Sequence, residues 1–220
     1  MYEIELKAHV YDRENLIRIL HSFADYRGRI AKYDSYWKQT APFAPSFLNK
    51  TPITQTPSLR IRIEKSENEN NPLRTLVTCK QKNIGGTSSG GKEAAAEHRD
   101  ALEINKEHEF TVSDAAAFER LIISAGFSPF LTKHKDCLQW TYENVLIELC
   151  TVEDLGDFLE LEITGKTAEN AESARAKLES ILKKCGIPLA QIEPMYYSEL
   201  LAAQKSAAGK KQNITGGDHV

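Results

Sequence analysis

The sequence lacks the features that would place it in several large protein classes. No apolar run approaches the ~20 residues a membrane-crossing helix needs, and the N-terminus shows no signal-peptide pattern. A cytoplasmic protein without a membrane partner is expected. The net charge is only −3 over 220 residues, so no broad field favours nucleic acid, and local clusters must carry any anion binding. Cys79, Cys137, Cys150 and Cys185 show no CxxC spacing and no small secreted frame, so free thiols in a reducing compartment are expected. His9, His21, His98, His108 and His134 form no metal-ligand spacing. The glycine-rich stretch 85–91 lacks the GxxxxGK[ST] spacing of a phosphate-cradling loop and reads as a flexible connection.

What is present is alternation. Strands are expected over about 2–10, 29–39, 58–65, 74–82, 101–112, 130–142, 144–152 and 158–164. Successive side chains of a strand point to opposite faces. Glu3, Glu5 and Lys7 therefore share one face of the first strand, while Ile4 and Leu6 share the other. The same i, i+2 charged pair recurs as Arg60/Arg62, Lys80/Lys82, Glu107/Glu109, Lys133/Lys135 and Glu160/Glu162, and Glu148 stands in phase with Cys150. Helical spacing predicts helices over about 12–26, 113–125, 167–185, the longest, and 194–205. Trp37 and Trp140 read as core, and Tyr36, beside Asp34, as a strand-packing side chain. Thr40–Pro57 and Asn83–Asp100 are the candidate lids. A single domain over 1–203 is expected, with a disordered tail over 204–220.

Two readings of the charged faces stay open on pattern alone. One is a solvated sheet face laced with cross-strand ion pairs. The other is an α+β fold whose helices cover the apolar face from outside, while about eight antiparallel strands close into a barrel lined with charge. Buried charges need partners or ligands. Carboxylates suit a hard cation, and Arg and Lys suit phosphate.

In order and spacing, the residues resemble the CYTH superfamily, the triphosphate tunnel metalloenzymes. Glu3-x-Glu5-x-Lys7 is similar to its N-terminal signature, Leu59-Arg60-Ile61-Arg62 to its arginine strand and Lys80 to its central lysine. Glu107-x-Glu109, Lys133-x-Lys135 and Leu155-Gly156-Asp157-Phe158-Leu159-Glu160-Leu161-Glu162 follow in the family's order. That last segment, with Glu193-Pro194 and Tyr197-Ser198-Glu199-Leu200-Leu201, is most similar to the class IV adenylyl cyclase branch.

The resemblance implies a closed eight-stranded antiparallel tunnel and an enzyme dependent on Mg²⁺ or Mn²⁺. It gives Glu3, Glu5 and Lys7 catalytic roles. It implies metal ligation by Glu3, Glu5, Glu160 and Glu162. Lys7, Arg60, Arg62, Lys80, Lys82, Lys133 and Lys135 would grip a triphosphate, and Glu107 and Glu109 would order the bases. The family usually has Asp where this chain has Cys150, and Glu148 is expected to substitute for it as a ligand. Lys38, Lys135 and Met195 also depart from the family's usual acid, Arg and Arg. The implied reaction is conversion of ATP to cyclic AMP and pyrophosphate. The alternatives are hydrolysis of inorganic tripolyphosphate or thiamine triphosphate, and non-catalytic binding of triphosphate or polyphosphate. Analogy with similar proteins that dimerise extends to a homodimer here.

Overall fold

The computed structural model describes residues 2–40, 58–67, 73–82, 102–165 and 171–214, with side chains described as far as 206. The expected lids, apart from Thr40, and the glycine-rich stretch lie outside the described residues. Eight strands are present: β1 (Tyr2–His9), β2 (Asp25–Gln39), β3 (Ser58–Ser66), β4 (Leu73–Lys82), β5 (Glu103–Val112), β6 (Phe127–Tyr142), β7 (Val145–Val152) and β8 (Gly156–Gly165). They close into a barrel in the order β1-β5-β4-β3-β2-β6-β7-β8, and every pairing is antiparallel. Closure decides between the two readings of the charged faces, because one face of every strand now lies inside the barrel.

The outer faces carry the apolar residues and the helices. On α1 (Arg13–His21), Leu16 and Leu20 pack against the outward Leu6, Ala8, Leu149 and Leu161. On α3 (Ala171–Lys184), Leu178, Ile181 and Leu182 join the same cluster. Trp140 is fully buried within it. On α2 (Ala115–Ser124), Ile122 and Phe118 cover Trp37, Ile61 and Val77 at another part of the wall. Asp12 and Asp114 cap α1 and α2 by accepting from the Asn15 and Ala117 amides. The α2 cap is therefore Asp114, one residue beyond the Ser113 start the spacing suggested.

The C-terminal helix departs most from expectation. Among the described residues the longest helix is α4 (Tyr197–Ile214), while the first residues of the helix expected over 167–185 lie outside them. It begins after Pro194 and continues past Lys205, so the stretch expected to be a disordered tail is helical as far as Ile214. Its Ala, Lys and Gln residues are good helix formers, and composition alone misread them. The first turn of α4 turns inward. Tyr197 packs with Ile30, Cys137, Cys150, Val152 and Phe158, an apolar cluster inside the barrel. Among the described residues, no helix is long and apolar enough to cross a membrane.

Candidate functional site

The barrel encloses a cavity of about 370 Å³. Strand alternation brings most of the expected site residues to its wall. The bases Arg60, Arg62, Lys80, Lys133 and Lys135 line it, as do the acids Glu3, Glu5, Glu109, Glu148, Glu160 and Glu162. Lys7 and Glu107 are buried in the wall behind them. Lys82 ends β4, and its side chain lies outside the described residues.

On the basic side, each charge is held by an acid. Arg62 donates twice to Asp34, Nε to Oδ1 at 2.6 Å and Nη2 to Oδ2 at 2.9 Å. Lys133 Nζ sits 3.1 Å from the same carboxylate. Against the cost of burial, Arg62 and then Lys133 hold the Asp34 carboxyl well below the usual range. Arg60 donates to Thr78 at 2.9 Å and lies 3.6 Å from Glu109. Lys80 lies 2.8 Å from Glu107 and 3.5 Å from Glu3. Burial opposes its charge, but Glu107, Glu5 and Glu3 raise its pKa above the ordinary lysine value. Lys7 donates to Glu103 at 2.5 Å, with the rings of Tyr196 and Tyr197 less than 6 Å away.

Two expected metal ligands are engaged by lysines. Glu160 accepts from Lys135 at 2.5 Å and from the Tyr197 hydroxyl at 2.7 Å. Glu148 accepts from Lys32 at 2.5 Å and from Gln139 at 2.6 Å, with Lys135 at 3.6 Å. Burial works against ionisation of Glu148, yet Lys32 and Lys135 hold it far below the ordinary value.

The remaining acids are electrostatically unlike these. Glu5 and Glu162 face each other directly across the β1/β8 ladder. Burial, reinforced by Glu162 and Glu107 against the pull of Lys80, pushes Glu3 up to about 9. Burial and the Glu5 and Glu148 charges push Glu162 up to about 7. Glu5 is raised by burial, Glu103 and Glu160. Opposite Glu3 on β5 stands Asn105, fully buried, and among the described residues neither its amide nitrogen nor its amide oxygen has a hydrogen-bond partner. Buried carboxylates that face one another, with Lys80 as the base beside them, fit a hard, hydrated divalent cation. Mg²⁺ commonly takes only one or two protein carboxylates and completes its shell with water and substrate phosphate.

One expectation about the cysteines is corrected. Cys137 and Cys150 are joined as a disulfide, while Cys79 and Cys185 are free. The β6/β7 register sets these two residues directly opposite each other, which their spacing in sequence does not reveal. Among the described residues, Cys137, Glu148 and Cys150 form the group whose ligand atoms lie within 4.8 Å of one another. The disulfide removes both thiolates from that group. The expected acids do not converge as tightly.

Several wall residues escaped sequence reading. Lys32 and Asp34 alternate in phase but differ in sign, as do Arg62 and Glu64, so a search for like pairs passed over Lys32 and Glu64. Glu103 and Asn105 stand in phase with Glu107 and Glu109, and extending that count back along β5 would have found them. Tyr197 stood in the segment that resembles the cyclase branch, but helix spacing does not show that its ring enters a barrel.

Comparison with known proteins agrees with this architecture. The CYTH domain profile matches residues 1–197, and the chain belongs to the CYTH family. No curated protein matches it by sequence. Among solved structures it is similar to the PH1819 protein of Pyrococcus horikoshii OT3, at TM-score 0.68 and 24% identity, covering 92% of this chain and 99% of that one. It is also similar to a candidate adenylate cyclase from Vibrio parahaemolyticus, at TM-score 0.66 and 15% identity, covering 92% and 98%. A third is the candidate adenylyl cyclase HpAC1 from Hippeastrum, described as having a dominant triphosphatase activity. There the TM-score is 0.52 and the identity 14%, covering 93% and 96%.

Proposed function

We propose that the protein is a metal-dependent enzyme that acts on a triphosphate held inside the barrel, as a class IV-type adenylyl cyclase. The observation that carries this reading is that one cavity wall gathers two kinds of charged group. Arg60, Arg62, Lys80, Lys133 and Lys135, from β3, β4 and β6, suit phosphate oxygens, and Glu3, Glu5 and Glu162, from the paired β1 and β8, suit a cation.

Phosphoryl and nucleotidyl transfer need little covalent help from a protein, but they need charge neutralised and reacting groups aligned. Glu3, Glu5 and Glu162 would hold Mg²⁺ or Mn²⁺. The bound ion would neutralise phosphate charge and lower the pKa of the attacking hydroxyl. Arg62, fixed bidentately by Asp34, presents its remaining N–H groups in one orientation. Arg60 and Lys80 are oriented by Glu109 and Glu107. Lys133 and Lys135 complete the cradle from β6. In the cyclase reaction the 3′-hydroxyl of ATP releases its proton to water as its oxygen bonds to the α-phosphorus, the bond from that phosphorus to the bridging oxygen breaks, and pyrophosphate leaves.

The second reading is a triphosphatase, in which water attacks the terminal phosphorus of tripolyphosphate or thiamine triphosphate. The activity described for HpAC1 favours it. The same cradle serves both, and phosphate register decides between them. The test is a product assay with ATP, thiamine triphosphate and tripolyphosphate, each with Mg²⁺ and with Mn²⁺. A Glu3→Gln/Glu5→Gln protein is the control. Cyclic AMP that is lost in the control supports the cyclase. Phosphate release without cyclic AMP supports the triphosphatase. Tight binding without product leaves a triphosphate binder.

A further inference from the structure

The cavity wall is not charged throughout. Tyr36 of β2 and Phe130 of β6 both line it, with ring centroids 6.4 Å apart. Phe130 reaches this position through an irregularity in the ladder. Tyr36 pairs with Leu131, but Trp37 pairs with Pro129, so Phe130 has no opposite residue. Strict alternation from Lys135 through Lys133 to Leu131 would send Phe130 outward. A bulge inserts one residue and re-aims its side chain. Here it turns a large aromatic ring onto the edge of a charged cavity, where the residue remains 49% exposed.

The pair is continuous with the basic cradle. Lys133 Nζ, which also contacts Asp34, lies 5.7 Å from the Tyr36 ring centroid. Lys38 Nζ lies 5.8 Å from that of Phe130. The Tyr36 hydroxyl donates to Asp34 Oδ2 at 3.4 Å, which ties that ring to the carboxylate that holds Arg62. A bare polyphosphate has no use for two apolar faces, whereas a flat ring attached to a triphosphate does. The two ammonium groups also discriminate among rings. A cationic thiazolium would be repelled by Lys38 and Lys133, and a neutral nucleobase would not.

We propose that Tyr36 and Phe130 form the subsite for the nucleobase of a nucleoside triphosphate whose phosphates lie in the basic cradle. This assignment rests on the triphosphate reading of the cavity. It ranks nucleoside triphosphates above thiamine triphosphate and tripolyphosphate as substrates.

The experiment measures binding by calorimetry, and KM and kcat separately where turnover occurs, for ATP, thiamine triphosphate and tripolyphosphate. The proteins are the unmodified chain, Phe130→Ala and Phe130→Leu. Half-exposed Phe130 can be replaced without opening the core, and the leucine variant keeps an apolar side chain while removing the aromatic face. The expected result is a rise of about 5- to 100-fold in Kd or KM for ATP in Phe130→Ala. The leucine variant should show a smaller rise, and neither variant should alter tripolyphosphate binding. An equal loss for tripolyphosphate, or no loss for ATP, overturns the subsite and leaves the triphosphate cavity standing. Thiamine triphosphate binding more tightly than ATP, with the same sensitivity to Phe130→Ala, overturns the nucleobase assignment. Failure of all three compounds to bind removes the triphosphate reading, and this inference with it.

Discussion

Glu5 and Glu162 stand directly opposite each other on β1 and β8, two carboxylates on the inner face of one ladder. Like charges so placed destabilise a sheet. Tolerating the pair makes sense if a cation joins it. Burial first, then the Glu5 charge, pushes Glu162 up to about 7, and burial with the Glu162 and Glu107 charges pushes Glu3 up to about 9.

The first prediction is a pH dependence. A carboxyl whose folded pKa is raised binds its proton more tightly in the folded state. Its contribution to stability is complete below the unfolded value and is lost as pH rises through the folded one. For Glu3 that window runs from 4.5 to about 9, and for Glu162 from 4.5 to about 7. The thermal midpoint in chelator should fall as pH rises across this window. Added Mg²⁺ or Mn²⁺ should raise the midpoint most at the alkaline end. Melting curves with and without metal test this, and a metal effect independent of pH would contradict it.

Glu5→Gln should separate stability from activity. Removing one of the facing charges should raise the metal-free midpoint while weakening metal-dependent turnover by about 100-fold or more. Melts in chelator and initial rates at saturating metal measure the two effects. A drop in both would mean that Glu5 serves mainly to support the wall.

Asp34→Asn removes the partner of a buried, bidentate arginine. Leaving Arg62 without its counter-charge should cost about 3–5 kcal/mol. Denaturant unfolding would register this as a lower midpoint. A neutral result would show that Glu64, 3.8 Å from Arg62, takes over the charge.

Tyr197→Phe removes the hydroxyl that donates to Glu160 inside the barrel. Leaving that carboxylate short of a donor should cost about 1–3 kcal/mol, with little change in the apolar packing against Phe158. Urea unfolding at neutral pH is the check, and an unchanged midpoint would mean that Lys135 alone suffices for Glu160.

Reduction of the Cys137–Cys150 bond, separated by 13 residues, should lower stability by about 3 kcal/mol. Thiol titration of the denatured protein should find two free thiols before reduction and four after it. Four thiols without reductant would show that the bond does not form in solution.

The sequence by itself determined the strands and the faces their side chains share. Alternation with period two is a local property, so Glu3/Glu5, Arg60/Arg62 and Glu160/Glu162 could be placed on common faces without a fold. The order of these pairs also carried the family. Tertiary structure alone decided which acids meet which bases. Glu148 and Glu160 look like Glu3 and Glu5 in the chain, yet closure brings lysines to the first two and leaves Glu5 facing Glu162. It also joined Cys137 to Cys150, turned Tyr197 into the barrel and swung Phe130 onto the cavity wall. These depend on register between strands and on one inserted residue in a ladder. Register is a relation between distant segments, set by how the whole barrel closes, and no short window of sequence contains it.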